Sequence, residues 1–290
     1  MKAISFCDGI GTGYHALKKA GFFNFEYDAV EIDEKARKTA DLNCYGLQRP
    51  CDDVLYFNPS KHYDLFLCGF TCSSLTSQGR RQGLDGASKI IFTCMAKLNF
   101  LREVNPNIKF LIENVASMSN KDRDALDKII GCEHIKINSA DFSGQARVRY
   151  YWTNIKILPY EKSNISALSY LYKDALALKA WSKSTRYVDQ CGKVHSKPHA
   201  SRVPRIEERF RADNKANTLV TGEGCTGPST KNIVKIRGGE TRLLRVGEAK
   251  RLQGLPSSFC FPQSDAVAYK QIGLGWQMDT IAHILRGLKK

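Results

Sequence analysis

DLFLCGFTCSSLTSQGRRQGLD, residues 64–85, opens with the apolar run Leu65, Phe66 and Leu67 and then breaks at Gly69. A short apolar run bounded by a breaker reads as the end of a buried strand. Cys72 follows at the lip of that strand, and after it comes a polar loop of Ser, Thr, Gln, Gly and Arg, too rich in breakers to be a core element. A thiol at the mouth of a strand, ahead of a basic glycine-bearing loop, suits a nucleophile with a lid. The same residues also suit a plain buried cysteine at a strand end, and this stretch does not separate the two.

Working outward towards the N-terminus, residues 3–7 form a short apolar strand, followed by the turn DGIGTG with Gly9, Gly11 and Gly13, and a helix running through Ala20. Strand, glycine turn and helix is the layout of a nucleotide-type cofactor site, because glycines let a ligand approach the backbone and the helix N-terminus adds a positive dipole. The spacing is not the dinucleotide fingerprint, and a simple tight turn has the same appearance. Residues 27–32 read as a second strand with Glu31 near its C-terminal end, where an acidic side chain can accept from both hydroxyls of a ribose; a solvated surface Glu is the alternative. Residues 33–43 read as a helix capped by Asp33, and residues 52–54 as part of a third strand lining the same crevice.

On the C-terminal side, residues 93–104 read as a helix, and residues 109–112 as a buried strand delivering Glu113 and Asn114 at its tip. A helix over 122–130 and late strands over 134–138 and 150–154 follow, with QARVR at 145–149 between the last two. Strands alternating with helices to about residue 158 give an α/β chain with a doubly wound, largely parallel sheet. Residues 159–240 are polar, basic and rich in Ser, Thr, Gly and Asn, and read as a smaller irregular domain. Helices are expected again over 242–252 and 279–288.

Composition narrows the function classes. Lys and Arg number 44 against 29 Asp and Glu, a net charge of +15 in 290 residues, which favours a polyanionic partner; nucleic acid leads over a membrane surface, since no basic amphipathic helix stands out. No apolar run reaches the ~18 residues that span a bilayer, and the N-terminus has no signal-peptide pattern, so a cytoplasmic protein is expected. The 10 cysteines contain no Cys-x-x-Cys pair and no Cys/His cluster with zinc spacing. They read as reduced thiols, most of them buried, and no metal site is expected.

Taken in order, the pieces resemble the C5-cytosine-specific DNA methyltransferases, nearest to the de novo branch and its phage and bacterial relatives. FCDGIGTG at 6–13 resembles the family's first glycine motif, AVEID at 29–33 its ribose-binding strand end, and Asp53-Val54 its adenine contact. Cys72 falls on the nucleophile, FLIENV at 110–115 on the Glu-Asn-Val motif and QARVR on the Gln-x-Arg-x-Arg motif. RLLRVGEAKRLQGLPSSF at 242–259 and YKQIGLGW at 269–276 are similar to the last two motifs. The resemblance implies a Rossmann-like methyltransferase sheet with a small irregular target-recognition domain. It divides the chain into a catalytic domain over 1–158, a target-recognition region over 159–240 and a returning segment over 241–290.

It implies S-adenosylmethionine as cofactor, held by Phe6, Asp8, Gly9, Gly11, Gly13, Glu31, Ile32, Asp53, Val54, Gly275 and Trp276. The catalytic residues it implies are Cys72 as nucleophile and Glu113 as general acid, with Arg147 and Arg149 holding the base and orienting Cys72. Double-stranded DNA with a flipped cytosine is the implied partner, contacted by Ser73, Gln78, Arg80, Arg81 and Thr221, and the loop over 73–89 would close on it. Two positions depart from the family pattern: Thr71 stands where Pro normally precedes the nucleophile, and Leu274 stands where a polar residue, often Asn, follows the glycine of the final motif. Those departures keep open a modified transferred group, such as carboxymethyl from carboxy-S-adenosylmethionine. They also leave room for a silent DNA-binding relative and for an RNA cytosine methyltransferase.

Overall fold

Alternation with period two builds the main sheet. In β1 (Lys2–Phe6), β2 (Glu26–Val30), β4 (Leu65–Cys68) and β5 (Lys109–Val115), nearly every residue is buried, as both faces of the sheet are covered by helices. One face carries Ile4, Phe6, Phe66, Cys68, Phe110 and Ile112, packed with Ile91, Leu98 and Leu126. The other carries Ala3, Tyr27, Ala29, Leu65, Leu67 and Leu111, packed with Tyr14, Leu17, Ile281 and Leu285. The computed structural model describes residues 1–59, 62–75, 82–180, 186–188, 194–196, 215–221, 232–236 and 241–289.

With the short edge strand β3 (Leu47–Gln48) and with β6 (Ile135–Asn138) and β7 (Val148–Thr153), the sheet has seven strands in the order β3-β2-β1-β4-β5-β7-β6. The first five in that order are parallel, and β7 runs antiparallel to both β5 and β6. The chain winds outward from β1 to β3, then returns to place β4 on the other side of β1. This reversal opens a crevice beyond the carboxyl ends of β1 and β4, where open α/β sheets bind their ligands.

Four helices link these strands: α1 (Thr12–Lys19), α2 (Glu34–Asn43), α3 (Ile90–Val104) and α4 (Asn120–Ile130). The Asp33 carboxylate caps α2, accepting from Lys35 N at 2.9 Å and Ala36 N at 3.2 Å. In the C-terminal part, α5 (Val246–Leu252) and α6 (Asp265–Leu274) pack on a third cluster containing Leu219, Val234, Leu244 and Phe259. Helix α7 (Met278–Arg286) returns to the main sheet and packs along α1. Short strands β8 (Ala175–Ala180), β11 (Asn232–Ile236) and β12 (Thr241–Leu243) form a small antiparallel sheet, and β9 (Arg186–Val188) pairs with β10 (Val194–Ser196).

Three local expectations are corrected. Residues 242–252 are not one helix: β12 ends at Leu243 and α5 begins at Val246. The reason is electrostatic. Arg242 reaches the buried carboxylate of Glu248 at 2.7 and 2.8 Å and Asp174 at 2.9 Å, while Glu248 also accepts from Arg245 N at 2.8 Å as a helix cap. No strand occupies 52–54; Asp53 instead starts a turn, its Oδ1 accepting from Leu55 N at 2.9 Å. Helix α6 lies where no helix is expected, although its last residues fall in the final motif.

Candidate active site

At the switch point, β1 runs out into a turn with a left-handed backbone. Cys7 has φ 53°, and Gly9 and Gly11 have φ 63° and 78°. Gly11 is required twice over, since a Cβ there would also overlap the Cys44 thiol. The turn swings the Gly9 N–H onto Glu31, just beyond β2. Glu31 Oε2 accepts from Gly9 N at 2.8 Å and Oε1 from Asp33 N at 2.8 Å. Burial pushes the Glu31 carboxyl up to about 7, with those two backbone donors pulling the other way. Asp8, also buried, accepts from the Tyr27 hydroxyl at 2.7 Å through one oxygen, while its second oxygen is buried without a partner. Burial raises its carboxyl as well.

The other half of the crevice comes from β4, β5 and β7. Asn114 donates Nδ2 to the Phe70 carbonyl at 2.9 Å, tying the segment before Cys72 to β5. Ser88 Oγ donates to the Thr71 carbonyl at 2.8 Å, and Ser74 Oγ lies 2.6 Å from Ser88 Oγ, so the chain on both sides of Cys72 is fixed. Cys72 itself is half-buried. Burial and the neighbouring Glu113 carboxylate raise its thiol, opposed by Arg149 and Arg147. Antiparallel pairing sets Glu113 opposite Tyr151 and Val115 opposite Arg149, which brings Arg149 Nε to 3.0 Å from Glu113 Oε1. The second oxygen, Oε2, accepts from Trp276 Nε1 at 3.1 Å.

One cavity of about 570 Å³ joins the two halves. A sequence profile of the C-5 cytosine-specific DNA methylases matches residues 1–137 and 149–290. The chain belongs to this family, and the enzyme is a DNA cytosine-5-methyltransferase. It is 27% identical to the Type II methyltransferase M.HpaII of Haemophilus parainfluenzae, over 84% of this chain and 77% of that one. To the Type II methyltransferase M.DsaV of Dactylococcopsis salina it is 27% identical, over 84% and 73%. The fold is that of the Entamoeba histolytica methyltransferase EhMeth, with TM-score 0.72, 15% identity and 99% and 97% of the two chains covered. The S. pombe Dnmt2 methyltransferase gives TM-score 0.69, 17% identity and the same coverage.

In this methyltransferase the cavity wall carries Asp8, Gly9, Gly13, Glu31, Ile32, Asp53, Val54, Gly275 and Trp276 of the residues expected at the cofactor, and all four expected catalytic residues. Phe6 and Gly11 are placed elsewhere. Phe6 points into the core, edge-on to Phe57 and Phe66, and its successor Cys7 takes the place on the wall. Gly11 turns the chain behind the wall. Arg147 is buried with its guanidinium on the carbonyls of Leu219, Gly273 and Gly275, each at 3.0 Å, and burial lowers it to about 9, with Arg149 adding to the shift.

Of the residues expected on DNA, Ser73 and Thr221 are exposed and off the cavity wall, while Gln78, Arg80 and Arg81 lie outside the described residues. Sequence reasoning missed Cys7, Ser88 and Gln271. Gln271 is buried at the wall, with Oε1 accepting from Thr39 at 3.0 Å and Nε2 unpartnered. The only local signal for it was its place inside the final motif. Among the described residues no helix is long and apolar enough to cross a membrane.

Proposed function

We propose that the enzyme binds S-adenosylmethionine between the glycine turn, Glu31 and α6, and that Cys72 forms a transient covalent bond to C6 of a cytosine flipped out of double-stranded DNA. The convergence of Cys72, Glu113 and Arg149 on the cavity that Glu31 also lines carries this reading. The wall fits the cofactor: Glu31 keeps free lone pairs for ribose hydroxyls, and the unpartnered oxygen of Asp8 and Nε2 of Gln271 offer an acceptor and a donor to an amino-acid-bearing nucleoside. When bound, S-adenosylmethionine supplies an electrophilic methyl group.

The protein's own groups then account for the reactivity of the base. C5 of cytosine is a poor nucleophile, and covalent catalysis divides one difficult step into two. The Cys72 thiolate adds to C6, and the C5–C6 electron pair moves to C5. Glu113 supplies a proton at N3 as charge develops there, with Arg149 fixing one of its oxygens. After C5 is substituted, a base takes its proton, the C6–Sγ electron pair returns to sulfur to release the Cys72 thiolate, and N3 gives its proton back to Glu113, so the ring and the general acid are both restored. Cys72 is half-buried on the cavity wall, so the base must leave the helix to reach it. On this reading residues 1–158 and 241–290 carry the chemistry and residues 159–240 read the DNA.

The test is a duplex carrying 5-fluorocytosine, in which the C5 substituent cannot leave as a proton. Wild type should be trapped as a stable adduct in the presence of cofactor, and Cys72→Ser should not be trapped while still binding S-adenosylmethionine. Near-normal turnover by Cys72→Ser refutes the nucleophile.

A further inference from the structure

We propose that Trp276 is a positioning residue of the reaction, acting through Glu113: with Arg149 it fixes the carboxyl group so that its transferable proton can lie only on the side facing the base. The inference rests on the general-acid reading of Glu113.

Trp276 sits in the link between α6 and α7 and is 6% exposed. Its indole Nε1–H donates to Glu113 Oε2 at 3.1 Å, a contact between residues 163 positions apart. The indole also lies against the backbone at Gly69, just before Phe70-Thr71-Cys72. A Cβ at 69 would stand 2.7 Å from Nε1 and 3.1 Å from Cε2, so only glycine admits the ring here. The backbone behind it is held as firmly: the Gly275 carbonyl accepts from Arg147 Nη2 at 3.0 Å and from Gln253 Nε2 at 2.6 Å. The ring therefore has one seat, and from that seat it reaches Glu113.

Indole N–H and guanidinium are donors that cannot accept. One holds each oxygen of Glu113, Trp276 on Oε2 and Arg149 Nε on Oε1 at 3.0 Å. A proton on Glu113 cannot lie along either of those directions, because it would meet another N–H head-on. Glu113 and Cys72 line the same cavity, so the lone pairs left over are the ones a base held there can meet. Arg149 alone would leave the carboxyl free to turn about its last side-chain bond. The second donor removes that freedom, so orientation is set before the base arrives.

The experiment compares wild type, Trp276→Phe, Glu113→Gln and the double variant, with kcat and KM measured for DNA and cofactor. Loss of a hydrogen bond to a carboxylate should lower kcat, read at saturating cofactor, about 10–100-fold in Trp276→Phe. In the Glu113→Gln background the same change should cost about twofold or less, because the partner it acts through is already altered.

If Glu113→Gln is impaired and Trp276→Phe has normal kcat, this inference fails and the general-acid reading stands. If Glu113→Gln is itself fully active, both fail. Losses that simply multiply in the double variant also overturn it, since they show packing alone. A measurement that leaves the ring in place guards against misfolding. The chain has 3 Trp, and on 15N-labelled protein one indole N–H resonance should move upfield in Glu113→Gln; three unmoved resonances refute the contact.

Discussion

The proposed cofactor should bind more tightly as pH rises, and Glu31 should be the cause. Its carboxyl sits at about 7 against an ordinary 4.5, chiefly because of burial. Ionising it in the free enzyme therefore costs about 3 kcal/mol more than in an unfolded chain. The folded value lies above the unfolded one, so the free enzyme holds an extra proton across this window and loses stability as pH climbs from about 4.5 to 7. Cofactor affinity moves in the opposite sense. Both oxygens already accept a backbone N–H at 2.8 Å, and only the ionised group can accept freely from ribose hydroxyls as well. With a midpoint near 7, the ionised fraction rises from roughly a tenth at pH 6 to nine-tenths at pH 8, and affinity should rise about tenfold with it.

Calorimetry with S-adenosylmethionine over that range, on wild type and Glu31→Ala, measures the effect. The ratio of the two affinities at each pH cancels the ligand's own titration. Glu31→Ala should bind about 10–100-fold more weakly at pH 8 and lose the slope. Glu31→Gln should fare no better, because its amide must turn an N–H toward either Gly9 N or Asp33 N. A wild-type affinity ratio that stays flat from pH 6 to 8, or an alanine variant with undiminished affinity, refutes the reasoning.

Three further outcomes follow from the geometry. Burial and Glu113 raise the Cys72 thiol, so its alkylation by iodoacetamide in the free enzyme should be slow at neutral pH and still climbing beyond about pH 8.5; a plateau below that contradicts it. Glu248→Ala leaves Arg242 paired with Asp174 alone and should cost about 1.5–3 kcal/mol in urea unfolding. Burial tends to raise the Glu248 carboxyl but is outweighed by Arg242 and two backbone donors, so its folded value is lowered. Its contribution is therefore present above its unfolded value, and the gap between wild type and variant should close as acid protonates it. With a net charge of +15, DNA affinity should fall with salt at a log–log slope near −5 if about six phosphates are neutralised, and a flat response would separate the charge from DNA binding.

Much of the fold was legible because the main strands obey a local rule. Ile4 and Phe6 face one side of the sheet and Ala3 the other, and that alternation is written in the sequence. The same rule explains the misplacement of Phe6. A one-residue step reverses the face, so the residue that reaches the cavity is Cys7, where the strand ends and the backbone turns left-handed. Helix α6 was hidden because it buries residues on two sides. Ala268 and Ile272 lie in the core while Gln271 and Leu274 line the cavity, which leaves no clean polar face to mark it. The break before α5 was hidden because Arg242 is held extended by Asp174, 68 residues away.

The pair of arginines in QARVR shows where local reading stops. Two residues apart in one motif, Arg147 just before β7 and Arg149 within it, the pair would be given the same task at the base. Their surroundings separate them. Arg149 reaches the Glu113 carboxylate at 3.0 Å. Arg147 spends both terminal nitrogens on the carbonyls of Leu219, Gly273 and Gly275, and its Nε is buried without a partner. A guanidinium is a fork of donors, and here the fork joins the residue just before β7 to the segment entering from residue 219 and to the turn that seats Trp276. Burying that charge is unfavourable, which is why it is lowered to about 9. The cost is offset because the guanidinium donates to the Leu219 and Gly273 carbonyls and adds a second donor to the Gly275 carbonyl, which also accepts from Gln253. Arg147 thus fixes the frame, Trp276 hangs from it, and Glu113 is aimed by Trp276 and Arg149 together. Each link joins segments far apart in the chain or crosses from one strand to the next, so none of it is visible until the chain is folded.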